Sequence, residues 1–122
     1  MRKTILLISE LLQDLNRMKN WFPDDCTIKG INSYTAVPNA LRSELPDVIC
    51  LRIRNPEDFF QIYEQLRTSV NYADTPVIAI ADIGLQTNLV HNVALKGVKL
   101  LGSSVTDENM IKIAKETLDS LK

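Results

Sequence analysis

Beside a short strand expected at Val98–Leu101, three short apolar runs punctuate the chain: Lys3–Ile8, Val48–Leu51 and Val77–Ala81. Each is too short for a helix and is bounded by polar or turn residues, which reads as a strand covered on both faces. Cys26–Ile31 is weaker and partly alternating, as expected of a strand nearer a sheet edge. Between these runs the apolar residues switch to a helical period. Ser9-Glu10 opens an amphipathic segment with Leu11, Leu12, Leu15, Met18 and Phe22 on one face, Ser9 as its N-cap and Pro23-Asp24-Asp25 as its stop. Pro38 suits the first turn of a short helix through Ala40, Leu41 and Leu45, closed by Pro46. Asn55-Pro56-Glu57-Asp58 is a strong helix start, with an N-cap Asn, a Pro at the first helical position and acids in the first turn. Its stripe is Phe59, Ile62, Tyr63 and Leu66, extending to Val70. Leu85–Lys96 reads as a further helix with Gly97 just past its end. Thr106-Asp107-Glu108 starts the last one, with Met110, Ile111, Ala114, Leu118 and Leu121 facing inward.

Strands and helices thus alternate strictly, five of each, which implies right-handed βαβ units and a parallel sheet with helices on both faces. The expected fold class is α/β: a flavodoxin-like, doubly wound (βα)5 domain over residues 1–122 with a five-stranded parallel sheet of order 2-1-3-4-5. That order places the weak Cys26–Ile31 strand outside and the most apolar runs in the middle. In such a sheet, function gathers at the carboxyl ends of the strands. Arg52, a cation at the end of the central run, occupies that place.

Composition narrows the possibilities. A net charge of −1 carries no footprint of nucleic acid or a membrane surface. No apolar run approaches the roughly 18 residues of a membrane span, and the run after Met1-Arg2-Lys3-Thr4 ends too early at Ser9-Glu10 for a signal peptide. A cytoplasmic location is expected. Cys26 and Cys50 fall in predicted strands without metal-type spacing and read as reduced core residues. The turn after the first strand is Ser9-Glu10-Leu11-Leu12, not a glycine-rich loop, and the scattered glycines form no phosphate-binding loop. A nucleotide site is therefore excluded, and no cofactor is expected.

Three segments together resemble the receiver domains of two-component response regulators: Ile5-Leu6-Leu7-Ile8-Ser9-Glu10; Pro46-Asp47-Val48-Ile49-Cys50-Leu51-Arg52 with Pro56 four residues later; and Thr75-Pro76-Val77-Ile78-Ala79-Ile80. The order and lengths of the elements agree over the full chain. By that resemblance, the segments should end in an acidic pair, a phospho-acceptor aspartate and a Thr or Ser, with a lysine ending the fifth strand. Here the acidic pair maps onto Ser9 and Glu10, the acceptor onto Arg52, the Thr/Ser onto Ala81, the lysine onto Ser104 and its following proline onto Val105. The aromatic switch position maps onto Leu101. Only Glu10 and Pro56 keep the family's residue. Receivers take a phosphoryl group from a histidine onto the aspartate, with Mg²⁺ held by the carboxylates. Arginine has no nucleophilic oxygen, stays protonated and repels Mg²⁺, so a pseudo-receiver that binds no metal and is not phosphorylated is expected.

Two arrangements are open for Arg52. It replaces the metal by pairing with Glu10 and Asp82 in forked, charge-assisted hydrogen bonds, or it points to solvent from a degenerate pocket. His91 reads as a surface or boundary residue; Ser9 lacks the partners of a nucleophile. Ser103-Ser104 with Thr106 offers a helix N-terminus to a small anion, although capping is the simpler task for Thr106. Trp21-Phe22 pack beneath the loop around Pro23 or form an interaction patch. Lys96, Lys99, Lys112 and Lys115 read as a solvated face, although receivers use the surface of their fourth helix, fifth strand and fifth helix for dimers and partners. The expected function is that of a non-enzymatic signalling domain acting on a protein partner, a fused output domain or a second copy, without nucleic acid or membrane. The rival is a flavodoxin-like enzyme or a binder of small ligands or anions, using Glu10, Arg52, Asp82 and Ser104.

Overall fold

The computed structural model describes residues 3–44, 46–54, 60–61, 63–64, 75–81, 98–102 and 104–121. Its elements are β1 (Thr4–Ile8), α1 (Leu12–Lys19), β2 (Thr27–Ile31), a 3-10 turn (Tyr34–Ala36), α2 (Val37–Glu44), β3 (Val48–Ile53), β4 (Val77–Ala81), β5 (Val98–Gly102) and α3 (Asp107–Asp119). All strand pairings are parallel, in the order β2-β1-β3-β4-β5. The expected doubly wound topology is therefore present.

Unbroken apolar runs form the inner strands because successive side chains point to opposite faces, and both faces here are covered. On one face Leu6, Ile8, Ile49, Leu51, Ile53, Val77, Ala79 and Ala81 pack with Val37 and Leu41 of α2. On the other, Ile5, Leu7, Val48, Cys50, Ile78 and Ile80 pack with Met18, Trp21, Phe22, Met110 and Ala114. The outer strands are only partly covered, as the weaker pattern of 26–31 led one to expect. At the amino edge, Asp47 locks β1 to β3: its amide donates to the Thr4 carbonyl at 2.8 Å, and its carboxylate accepts from the Thr4 amide at 2.8 Å.

The helix ends differ from expectation in ways that packing explains. Helix α1 begins at Leu12, with Leu11 rather than Ser9 at the N-cap position, and stops at Lys19 with Asn20 as its C-cap. Leu11 and Leu12 at its start are 39% and 64% exposed and join neither apolar cluster. The early stop lets Trp21 and Phe22 turn inward, and both are buried. In α3 the inward set is Met110, Ile113, Ala114 and Leu118, which share the 3.6-residue face; Ile111 lies off it and is 48% exposed. Thr106 caps α3 as expected, its hydroxyl accepting from the Asn109 amide at 3.2 Å. From the predicted helix after Asn55, Phe60 and Tyr63 are described and pack on the α2 side of the sheet. Leu45, residues 55–59, 62 and 65–70, and the predicted 85–96 helix with His91 and Lys96 lie outside the described residues.

Both cysteines are free thiols, Cys50 buried and Cys26 partly exposed. Burial pushes the Cys50 thiol up to about 12, because desolvation penalises the thiolate that reacts. Titration of the native protein with a disulfide reagent is expected to modify Cys26 promptly and Cys50 only after denaturant is added. Equal rates for the two would contradict the burial of β3.

Candidate functional site at the carboxyl edge of the sheet

The parallel register brings the ends of β1, β3, β4 and β5 together. Ile8 pairs with Leu51, Arg52 with Ile80, Ile53 with Ala81, and Ala81 with Gly102. Arg52 shares the face of Cys50 by strand alternation and is only partly buried. Its Nη1 donates to the Ile53 carbonyl at 2.8 Å and to the Ile80 carbonyl at 3.2 Å. The guanidinium therefore bridges the ends of β3 and β4 through main-chain acceptors rather than pointing freely to solvent. Its positive charge at this position is permanent.

The expected Arg52–Glu10 contact is not formed. Glu10 is exposed and takes part in neither of the ion pairs among the described residues. Asp82 lies outside the described residues. Among the described residues, the carboxylate that meets an arginine at this edge is Asp14 in the first turn of α1. Its Oδ2 accepts from the buried Ser9 hydroxyl at 2.8 Å and from Arg54 Nη2 at 2.8 Å. Ser9 Oγ also accepts from the Leu11 amide at 3.3 Å, so Ser9 organises the turn into α1 from two residues before the N-cap. The sequence held a signal for this pairing, because Arg54 repeats Arg52 at the strand period of two. Only the three-dimensional path of α1 shows that Asp14, not Glu10, reaches it.

Ala81 is buried and offers no hydroxyl, and Ser104 is exposed on the turn before α3. Among the described residues, no group of three or more His, Cys, Asp or Glu side chains is placed to hold a metal ion. Beneath Arg52 lies a cavity of about 30 Å³, bordered by Asp14, Arg17, Trp21, Ile80 and Val105. That volume is close to the share of one water molecule in the liquid, far below what a substrate needs.

A second cluster, which sequence reasoning missed, closes this cavity from the α3 side. Asp107 Oδ1 accepts from Trp21 Nε1 at 2.8 Å and from Arg17 Nε at 2.8 Å. Arg17 Nη2 donates to the Val105 carbonyl at 3.1 Å, and its guanidinium carbon lies 5.4 Å from the Trp21 ring centroid. The residues span positions 17 to 107, so no local spacing announces them. The Trp21 hydrogen bond and then the Arg17 hydrogen bond hold the Asp107 carboxyl below the usual carboxylate range.

No family model matches the sequence, and no curated protein matches it. Solved structures do match. The signal receiver domain of a signal transduction histidine kinase from Syntrophus aciditrophicus superposes with a TM-score of 0.83 at 16% identity, over 98% of this chain and 92% of that one. The chemotaxis response regulator CheY4 of Vibrio cholerae gives 0.81 at 13% identity, over 96% of this chain and 99% of that one. The signal receiver domain of a DNA binding response regulator protein (merR) from Colwellia psychrerythraea 34H gives 0.77 at 22% identity, over 97% and 99%. The fold is the receiver fold. The flavodoxin-like class expected from the alternating pattern is thereby shown, and the carboxyl edge described above is the corresponding edge of a receiver sheet.

Two measurements test the contacts of this edge. Arg54→Ala removes a partly exposed ion pair and should lower stability by less than about 1 kcal/mol in urea unfolding. Asp14→Ala also strands the buried Ser9 hydroxyl and should cost more, about 1–3 kcal/mol; equal losses would deny Ser9 its role. Asp107, with its native pKa lowered, contributes stability above its unfolded-state pKa and loses it as pH falls through the lower native value. The Trp21 indole N–H resonance should accordingly titrate below the ordinary carboxylate range and stop titrating in Asp107→Asn.

Proposed function

We propose that this chain is a phosphorylation-independent, receiver-like regulatory domain without catalytic activity of its own, acting by protein–protein contact in the cytoplasm. The observation that carries the reading is the Arg52 guanidinium, hydrogen-bonded to the Ile53 and Ile80 carbonyls at the position where, by resemblance, a receiver carries its acceptor aspartate. A protonated guanidinium supplies no oxygen nucleophile and opposes a divalent cation. Ala81 lacks a hydroxyl to meet a phosphoryl group, and Ser104 lacks the ammonium to neutralise one. Ser9 and Glu10 leave one carboxylate where the family has two, and Ser9 is engaged with Asp14.

With the Arg52 and Asp14–Arg54 contacts in place, the edge is held in one arrangement by groups that do not turn over. Output through constitutive contacts fits that arrangement: a fused output domain, a separate protein, or a second copy through the face that includes β5 and α3. Lys99, Lys112 and Lys115 lie exposed on these two elements. The rival reading is a ligand or enzyme site built from Glu10, Arg52, Asp82 and Ser104; the cavity that the described residues line beneath Arg52 measures about 30 Å³.

Incubation with acetyl phosphate and Mg²⁺, followed by intact-mass measurement, is expected to show no added phosphoryl group. A single phosphoryl gain that disappears on mutating one residue of the carboxyl edge would overturn the reading.

A further inference from the structure

A larger concavity than the one beneath Arg52 lies away from the carboxyl edge. A cavity of about 580 Å³ opens where the end of α1 meets the flank of α3, next to the start of β1. Its volume falls within the roughly 300–1,000 Å³ range typical of small-molecule sites. Trp21, Phe22, Ile111 and Leu118 contribute an apolar wall. The exposed Ile111, which the core does not use, finds a surface role here.

Charge is what narrows the occupant. Two ammonium groups, Lys3 and Lys115, and two carboxylates, Asp25 and Asp119, line the same cavity. Among the described residues none of the four forms an ion pair. A neutral apolar molecule would leave all four unused. A singly charged one would satisfy one pair while facing the like charge of the other. A molecule with an apolar body and opposite charges at its ends uses both signs. We propose that this cavity binds a small zwitterion with bulky apolar side chains, the chemistry of a short peptide with free termini.

Trp21 gives such a site a route to the carboxyl edge. It borders both this cavity and the small one beneath Arg52. Its indole nitrogen donates to Asp107, the first residue of α3. An occupant pressing on the ring therefore acts on the Asp107–Arg17–Val105 tie without any phosphoryl chemistry. The site does not rest on the phosphorylation reading, and its test uses neither Mg²⁺ nor a phosphoryl donor.

Trp21 is the only tryptophan of the chain, so its fluorescence reports the cavity directly. The probe is L-leucyl-L-leucine, which is transparent at the exciting wavelength, together with its N-acetyl, amide and doubly blocked forms. The free dipeptide is expected to change Trp21 emission saturably with a Kd below about 1 mM, and to move the indole N–H resonance. Each singly blocked form should bind at least about tenfold more weakly, a difference of about 1.4 kcal/mol. Lys115→Ala and Asp119→Ala, both at exposed positions, should weaken the free dipeptide while leaving the circular dichroism spectrum unchanged. Absence of a saturable change would overturn the proposal. Equal affinity for the doubly blocked form, or unchanged affinity in both variants, would overturn it as well.

Discussion

Everything in this molecule depends on three strands being covered on both faces. β1, β3 and β4 place almost every side chain in one of two apolar clusters, one with α2 and the other with α1 and α3. Apolar area removed from water is worth about 25 cal/mol per Å², and strands covered on both faces contribute on each side. That constraint sets the parallel order, because helices must cross over both faces to cover them. It also leaves a polar edge where the strands end, which carries Ser9, Asp14, Arg52 and Arg54.

At that edge the chain presents two arginines, Arg52 and Arg54. A carboxylate on a strand end attracts a metal and attacks phosphorus; a guanidinium is a permanent cation with donors only. Arg52 finds acceptors in the main chain of its own strand and of β4. Arg54, two residues on, takes the carboxylate. Two cations thus divide the work of holding strand ends and the first turn of α1. Neither contact needs a phosphoryl group to form.

The Trp21–Asp107–Arg17 cluster ties the opposite layer together. Tryptophan buries a large ring but has one N–H that requires an acceptor. The start of α3 supplies a carboxylate, and its helix N-terminus tolerates that charge well. The same residue then forms a wall of the amino-edge cavity, so one side chain links the body of the domain to its polar edge. A functional contact made far from the strand ends has a physical path to them.

Much of this was legible in the sequence, because it depends on periods and caps. Runs such as Val48–Leu51 and Val77–Ala81 announced covered strands, and Thr106 announced a helix start. The side-chain chemistry of Arg52 and Ala81, a permanent cation and a methyl group, could be read directly. Pairings across the fold could not. Glu10, next to Ser9, looked like the partner for an arginine, yet where α1 begins leaves Glu10 outside and places Asp14 over Arg54. Leu11, Leu12 and Ile111 looked like core, but none of them joins either apolar cluster, and Ile111 lies off the buried face of α3. Sequence by itself therefore determined the layers and their order, since these follow from local patterning. Tertiary structure alone decided which carboxylate meets which arginine, because that depends on where separate elements end in space.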